Sequence, residues 1–230
     1  DISELNIEDT TYLGIVDDSG LIKGNDFVLT HDEIVSAFTS KLEKVFPTTA
    51  KADGEAKAFD YNVNETYKCK TKIAKPRIFI PAFPGTNCEY DTAKRFNIAG
   101  GESEIVIVKN LSTSDIKETI DRFAKAIRNS QIIAFPGGFS GGDEPEGSGK
   151  FIATTFRNPV IAEAVYDLIQ KRDGLILGIC NGFQALVKLG LLPYGEMRIM
   201  NENSPTLTYN NIFRHVSTMA KIRVGSKLSP

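Results

Sequence analysis

Histidine, cysteine and tryptophan are scarce in this chain, which has no tryptophan, two histidines (His31 and His215) and three cysteines. Two histidines exclude a metal site built on several imidazoles, the ligands that zinc and copper centres commonly use. The cysteines, at positions 69, 88 and 180, show no paired spacing and predict no disulfide framework. A reducing, cytoplasmic setting is the simplest interpretation, because disulfides persist in oxidising compartments.

Long apolar runs and dense basic stripes are also missing. No apolar stretch approaches the roughly 18 residues that a membrane-spanning helix needs, and the acidic, polar start at Asp1 does not resemble a signal peptide. Nucleic-acid binding has no support without a clustered basic surface. We therefore expect neither a membrane nor a nucleic-acid partner. The absent initiator Met predicts a processed chain or a piece of a longer one.

The most informative feature that is present is an apolar run that ends in Gly178-Ile179-Cys180-Asn181-Gly182 and continues at once as a second apolar run of helical period. This pattern is typical of a nucleophile elbow, a tight strand-to-helix turn that holds the residue at its tip in a strained conformation. A thiol at the tip begins a helix, where the helix dipole and free N–H groups favour the thiolate. The pattern predicts cysteine nucleophilic catalysis. The alternative, a buried structural cysteine, is disfavoured by the flanking glycines.

Residues 1–75 differ in pattern from the rest and are too broken to predict an independent domain. Residues 12–16 predict a short strand, and a helix is predicted from His31 to the break at residues 46–48. Its apolar positions recur at helical spacing: Ile34, Phe38, Leu42 and Val45. Residues 49–74 show little pattern and predict a linker.

From residue 75 onward, strands and helices alternate. The predicted strands are 77–83, 104–108, 131–135 and 174–178. The first predicted helix, 86–99, begins with a capping box formed by Thr86 and Glu89. A second helix is indicated by apolar residues at helical spacing, Ile116, Ile120, Phe123 and Ile127, and two more are predicted at 158–170 and 181–189. Such repeats predict a parallel sheet covered by helices on both faces. Ligands of such sheets bind at the carboxyl ends of the strands.

A long glycine-rich loop, from residue 136 to about residue 151, follows the third predicted strand, with two adjacent glycine pairs in residues 136–142. Adjacent glycines at a strand end let backbone N–H groups point into a cavity, and a thiolate attacking an amide generates an oxyanion that needs such donors. The alternatives are a surface loop or a phosphate cradle. The acidic residues 143–146 would repel phosphate but suit a ligand with an ammonium group, such as an amino acid.

Three other residues are weaker candidates for the chemistry. Cys88 is predicted in the first turn of a helix, near the positive end of the helix dipole, but it has no elbow. His215 is the only histidine after residue 75, and a cysteine nucleophile usually needs a general base. No acidic residue stands at a helpful spacing to orient it, so a structural or exposed role is favoured. His31 is weaker still.

The motifs together resemble a known family. The segments 178–184 and 136–143 are similar to those of class I glutamine amidotransferases, and the segments 83–89 and 203–205 narrow the resemblance to the glutaminase domains of phosphoribosylformylglycinamidine synthases. The resemblance implies a flavodoxin-like open parallel sheet with helices on both faces, in a domain over residues 76–230 that is incomplete at its C-terminus. Residues 1–75 would be a small α+β tail of a preceding synthetase portion plus a linker.

The resemblance also implies the roles of individual residues. Cys180 would attack the side-chain amide of glutamine, and the backbone N–H groups of Gly138 and Asn181 would hold the oxyanion. Contacts to glutamine would come from Gly137, Phe139, Asp143 and Gln184. No metal or cofactor is implied in this chain. The ammonia would pass to a synthetase partner, in the same chain or another, that uses ATP and Mg²⁺.

The sequence departs from the family in one respect. The family's nucleophile is served by a His-x-Glu segment late in the domain, and no such segment follows Cys180. We therefore expect a truncated chain with little or no steady glutamine turnover. One alternative is a non-catalytic interaction domain. Another is a protease-like cysteine hydrolase, but those relatives usually place a histidine directly after the nucleophile, where this chain has Asn181.

Overall fold

The computed structural model describes residues 11–49, 68, 72–141, 149–207, 209–213, 215–217 and 219–222. The described residues form two compact units: residues 11–49 with 211–213 and 215–217 belong to the first, and the others to the second. In this part of the chain no helix is long and apolar enough to cross a membrane. The predicted domain boundary at residues 75 and 76 stays a prediction, and most of the predicted linker lies outside the described residues.

The first unit contains a hairpin and one helix. Strand β1 (Leu21–Lys23) pairs antiparallel with β2 (Val28–Thr30), and helix α1 (His31–Ser40) follows directly. A capping box between Thr30 and Glu33 closes the start of α1. The predicted helix is confirmed from His31 to Ser40, but its predicted continuation to residue 45 is wrong, because residues 41–45 form turns. The predicted strand at 12–16 is wrong. That segment is irregular and exposed, and without a partner strand among the described residues an apolar run has no ladder to join.

The second unit is built on four parallel strands. Its elements, in chain order, are β3 (Arg77–Ala82), α2 (Glu89–Ile98), β4 (Glu102–Ile107), α3 (Thr113–Asn129), β5 (Ile132–Phe135), α4 (Lys150–Phe156), α5 (Pro159–Tyr166), a π-helical turn (Asp167–Lys171), β6 (Leu175–Gly178), α6 (Asn181–Leu189) and α7 (Leu191–Tyr194). The strand order is β4-β3-β5-β6, which is the flavodoxin-like order as far as four strands define it. The predicted fold class is confirmed.

Both faces of the sheet are covered by helices. On one face, strand residues such as Phe79 and Phe135 pack with Phe123 of α3 and Phe156 of α4, and the last turns of α6 join the same core. On the other face, Ile78, Ile80 and Ala134 pack against α2. The strands are apolar on both sides because each face needs its own core.

The capping box predicted at Thr86 and Glu89 is wrong. Helix α2 begins at Glu89, and its N-cap residue is Cys88, which makes no side-chain capping bond. The Thr86 hydroxyl instead accepts a hydrogen bond from the Phe83 N–H at 3.0 Å. Thr86 also forms an isolated antiparallel bridge with Gly138. Thr86 therefore pairs with a residue distant in the sequence instead of capping the helix, which is the role that the local pattern predicts.

Two short helices, α4 and α7, were not predicted. Helix α4 begins directly after Gly149, at the end of the glycine-rich loop, and α7 contains a proline between Gly190 and Gly195. The helix predicted for 158–170 begins as expected: the Asn158 side chain accepts from the Val160 N–H at 3.0 Å. Its last turn is π-helical rather than α-helical.

Candidate active site

Cys180 is the turning point between β6 and α6. Its backbone has φ 51° and ψ −106°, a conformation that a non-glycine residue adopts only when its surroundings impose it. The imposing contact is close packing of helix on strand: a Cβ at Gly182 would lie 2.3 Å from the Phe135 carbonyl oxygen, and one at Gly178 would lie 2.8 Å from the Gly182 carbonyl. The strained elbow predicted from the sequence is therefore present.

Cys180 is an exposed residue with a free thiol. Cys180 is the N-cap residue of α6, and it makes no capping hydrogen bond through its side chain. The positive end of the helix dipole lies beside it, which favours negative charge at this position. An accessible sulfur at such a helix start is suited to nucleophilic attack.

The glycine-rich loop after β5 is paired with the loop after β3. The Phe139 N–H donates to the Gly85 carbonyl at 2.7 Å, and the Asn87 N–H donates to the Gly137 carbonyl at 3.2 Å. These two bonds flank the bridge between Thr86 and Gly138. The backbone of residues 83–89 thus supports the glycine-rich loop. This pairing explains why the motif 83–89 lies at the site.

Gly138 is buried at the centre of that pairing. It has φ 137°, and a Cβ there would lie 2.5 Å from the Gly85 carbonyl oxygen and 2.8 Å from the Asn87 nitrogen. Among the described residues, none accepts a hydrogen bond from the Gly138 N–H. A buried N–H seldom goes without a partner, so this donor is suited to a ligand, as the sequence predicts for an oxyanion hole.

Gly137 lies between two cysteines. A Cβ at Gly137 would be 3.4 Å from the Cys180 Cβ and 3.5 Å from the Cys88 Sγ. The structure therefore brings together the glycine-rich loop, the elbow and the start of α2, as the topology of the sheet predicts. It also places the weaker candidate, Cys88, near the stronger one.

Asn181 joins the elbow to the glycine-rich loop through its side chain. The Asn181 Oδ1 accepts hydrogen bonds from the Ser140 N–H at 3.2 Å and from the Ser140 hydroxyl at 2.6 Å. Its Nδ2 donates to Gln184 Oε1 at 3.2 Å. Asn181 was predicted as a site residue for its backbone N–H alone. Ser140 was not predicted, because its only signal in the sequence is a hydroxyl within a run of glycines.

The other predicted site residues have different outcomes. Phe139 is exposed, and Asp143 lies outside the described residues. His31 and His215 are exposed and belong to the first unit, so nothing places either beside Cys180. In the described segments, no group of three or more metal-ligating side chains occurs.

The chain's one His-x-Glu triplet, residues 31–33, forms the first turn of α1. The Glu33 carboxylate accepts hydrogen bonds from the Thr30 N–H at 2.8 Å and from the Thr30 hydroxyl at 2.9 Å. The Thr30 N–H holds the pKa of Glu33 below its usual range. This glutamate is thus a helix cap and does not orient His31.

Comparisons with known proteins identify the family to which residues 75–230 are similar. The model of the CobB/CobQ-like glutamine amidotransferase domain matches residues 75–230. The phosphoribosylformylglycinamidine synthase subunit PurQ of Dehalococcoides mccartyi is 39% identical over 139 residues, 60% of this chain and 49% of that protein. The subunit of the same name from Methanococcus maripaludis is 34% identical over 157 residues, 66% of this chain and 53% of that protein.

A solved structure, described as PurLQS from Thermotoga maritima, is 31% identical with a TM-score of 0.35, and the match covers 51% of this chain and 45% of that one. The chain spans about half the length of the curated relatives it matches. The family match confirms the amidotransferase resemblance predicted from the motifs. The chain belongs to the family of CobB/CobQ-like glutamine amidotransferase domains.

Proposed function

We propose that this chain is the glutaminase part of a phosphoribosylformylglycinamidine synthase, with Cys180 as its nucleophile. The observation that carries the proposal is the strained backbone of Cys180, φ 51°, at an elbow directly beside the glycine-rich loop. Strain of this kind is kept where a fold over-determines it, commonly at functional sites. The names of the relatives, which are PurQ subunits, support the substrate class.

The proposed reaction has two covalent steps. The Cys180 thiolate attacks the side-chain carbonyl carbon of glutamine, and the resulting oxyanion is held by the N–H groups of Gly138 and Asn181. The carbon–nitrogen bond then breaks and the nitrogen takes up a proton. Ammonia departs, and a γ-glutamyl thioester remains on Cys180. Water adds to the thioester, glutamate departs and the thiolate is restored.

Recognition of glutamine would use the surroundings of this sulfur. Gly137 leaves open space beside the Cys180 Cβ, where a side chain would otherwise stand. Phe139, with 53% of its surface exposed, offers an apolar face to the methylene groups of the substrate. Asp143 would pair with the ammonium group, and Gln184 would contact the amide end of the substrate.

The ammonia would be consumed by a synthetase partner, in the same chain or in another. There it would convert the formylglycinamide ribonucleotide to the amidine in a step that needs ATP and Mg²⁺. The acid–base group for Cys180 would also have to be supplied from outside the described part of the second unit, since His31 and His215 belong to the first.

Substrate protection tests this proposal. Cys180 is alkylated with iodoacetamide, and peptides are followed by mass spectrometry over time. Glutamine should slow the alkylation of Cys180 in a saturable way, whereas asparagine, shorter by one methylene group, should protect far less because its amide cannot reach the sulfur. Equal rates with and without glutamine would show that no glutamine pocket adjoins this cysteine.

A non-catalytic interaction domain is the second candidate, favoured by the assignment of both histidines, His31 and His215, to the first unit and not to the unit that contains Cys180. Such a domain has no reason to keep a substrate pocket beside a strained cysteine. Saturable protection by glutamine therefore argues against it, and its absence argues for it.

A further inference from the structure

A buried polar pair, Ser140 and Asn181, connects the two halves of the proposed oxyanion site. Ser140 is 3% exposed and Asn181 is 1% exposed. The Ser140 hydroxyl donates to Asn181 Oδ1 at 2.6 Å, and the Ser140 N–H donates to the same oxygen at 3.2 Å. Both residues are rare polar members of an otherwise apolar interior, and buried polar groups that are fully paired specify one arrangement.

The amide of Asn181 is itself oriented. Its Nδ2 donates to Gln184 Oε1 at 3.2 Å, which fixes the side chain so that Oδ1 faces Ser140. Gln184 lies one turn along α6 from Asn181, where side chains three apart are neighbours. The elbow helix therefore presents a pre-set acceptor to the glycine-rich loop.

This contact joins the two segments that carry the proposed oxyanion donors. Gly138 is two residues before Ser140 in the loop, and Asn181 carries the second donor on its own backbone. The loop is held on its other side by two backbone bonds to residues 83–89: the Phe139 N–H donates to the Gly85 carbonyl, and the Asn87 N–H donates to the Gly137 carbonyl. The Ser140–Asn181 contact ties it to the elbow, so the spacing between the donors depends on this pair.

We propose that Ser140 and the side chain of Asn181 are positioning residues that set the distance between the Gly138 and Asn181 N–H donors. This inference rests on the proposed function, since it assigns a purpose to groups around the same nucleophile. In the proposed reaction neither side chain contacts the reacting atoms. Their contribution is to transition-state geometry, where a displacement of about 1 Å can cost about 100-fold in rate.

The experiment compares two reagents on Ser140→Ala. Diazo-oxo-norleucine carries a carbonyl that must sit between the donors, whereas iodoacetamide reports the reactivity of the thiol alone. We expect the saturating rate of Cys180 labelling by diazo-oxo-norleucine to fall about 10-fold, less than the loss of a whole donor. The half-saturating concentration and the iodoacetamide rate should change less than about two-fold.

Ser130→Ala is the matched control. Ser130 is also buried, 2% exposed, and its hydroxyl donates to the Ala126 carbonyl at 2.7 Å at the end of α3. It loses a similar hydrogen bond away from the elbow, and its labelling rates should match those of the unsubstituted chain. Ser140→Thr keeps the hydroxyl and should recover part of the lost rate.

Coupling between the two side chains gives a second readout. Asn181→Ala keeps the backbone donor but removes the acceptor, so it should slow diazo-oxo-norleucine labelling at least as much as Ser140→Ala. The double substitution should be no slower than Asn181→Ala alone, because the contact that Ser140→Ala removes is already lost in Asn181→Ala.

The outcomes separate this inference from the proposed function. If the unsubstituted chain labels at Cys180 and Ser140→Ala labels equally fast, the positioning role is wrong and the proposed function stands. A parallel loss with both reagents also overturns the positioning role, because the hydroxyl would then act on the thiol or the fold. If the unsubstituted chain is not labelled at Cys180, the proposed function fails and the positioning role fails with it.

Discussion

Cys88 and Cys180, both in the second unit, are each the N-cap residue of a helix but differ in backbone conformation. Cys88 is the N-cap of α2 and Cys180 is the N-cap of α6, and each follows a parallel strand of the same sheet. Cys88 has φ −111° and ψ 16°, whereas Cys180 has φ 51° and ψ −106°. The start of a helix is thus common to both, and the strained conformation is confined to one.

The length of the connection explains the difference. Only Ile179 and Cys180 separate β6 from α6, whereas residues 83–88 separate β3 from α2. A two-residue turn forces a positive φ at its tip, and it brings helix and strand so close that only glycine fits at 178 and 182. The six-residue turn relaxes, and its backbone is used instead to support the glycine-rich loop.

The largest expected effect is on covalent labelling, which should depend on Cys180 and not on Cys88. Cys180→Ala should abolish labelling by diazo-oxo-norleucine, because the nucleophile is gone. Cys88→Ala should keep the labelling rate within about three-fold, since its thiol is not presented at an elbow. Intact-mass spectrometry after a fixed incubation measures both. Loss of labelling in Cys88→Ala with an unchanged fold would overturn the distinction.

The loop between the two cysteines offers the next comparison. Gly138→Ala would place a Cβ 2.5 Å from the Gly85 carbonyl oxygen, so the loop must move and its N–H donor with it. We expect diazo-oxo-norleucine labelling to slow about 100-fold, the cost of losing one oxyanion donor. Gly137→Ala is the matched variant, because its Cβ would meet the nearest atoms only at 3.4 Å and 3.5 Å.

Labelling of Gly137→Ala should therefore slow much less than that of Gly138→Ala, even though its methyl group adjoins the Cys180 Cβ. Similar losses for the two variants would mean that crowding near the sulfur matters more than the position of the Gly138 N–H. Circular dichroism of both variants checks that the fold is retained.

Substitutions two residues after each cysteine, at Gly182 and at Tyr90, test how closely each helix packs on its strand. In an ordinary helix, alanine is more favourable than glycine by about 1 kcal/mol. Gly182→Ala should nevertheless destabilise the chain by about 2–4 kcal/mol, because its Cβ would lie 2.3 Å from the Phe135 carbonyl oxygen. Tyr90→Ala, at an exposed position, should cost less than about 0.5 kcal/mol. Urea unfolding monitored by circular dichroism measures both changes.

The smallest expected effects have opposite signs at the two cysteines. Cys180→Gly should raise the free energy of unfolding by about 1 kcal/mol, because glycine carries no strain at positive φ. Cys88→Gly should lower it by about 0.5–1 kcal/mol, because its backbone gains only freedom in the unfolded state. Urea unfolding provides the values. A loss of stability at Cys180 equal to that at Cys88 would contradict the strain inferred from the elbow.

Much of the α/β unit could be predicted from the sequence, because its strands and helices are marked by patterns among residues that are close together in the chain. Apolar runs bounded by glycine define the four strands, and the helices after them carry spaced apolar positions such as Phe123 and Ile127. The elbow was predictable for the same reason, since Gly178 and Gly182 stand beside Cys180 in the chain.

What could not be predicted depends on contacts between distant residues. The capping box at Thr86 matched a local rule but lost to pairing with Gly138, and the strand at 12–16 had no described partner. The contact of Ser140 with Asn181 joins residues 41 positions apart. No pattern in one sequence shows which serine in a glycine-rich loop meets which asparagine.

The most direct test of the central claim is the location of a single adduct. The unsubstituted chain is treated with less than one equivalent of diazo-oxo-norleucine, digested, and its three cysteine peptides are compared by mass spectrometry. We predict that the adduct is found on the peptide that contains Cys180 and is suppressed by glutamine. An adduct on Cys88, or an even distribution over the cysteines, would contradict the assignment of Cys180 as the glutamine-directed nucleophile.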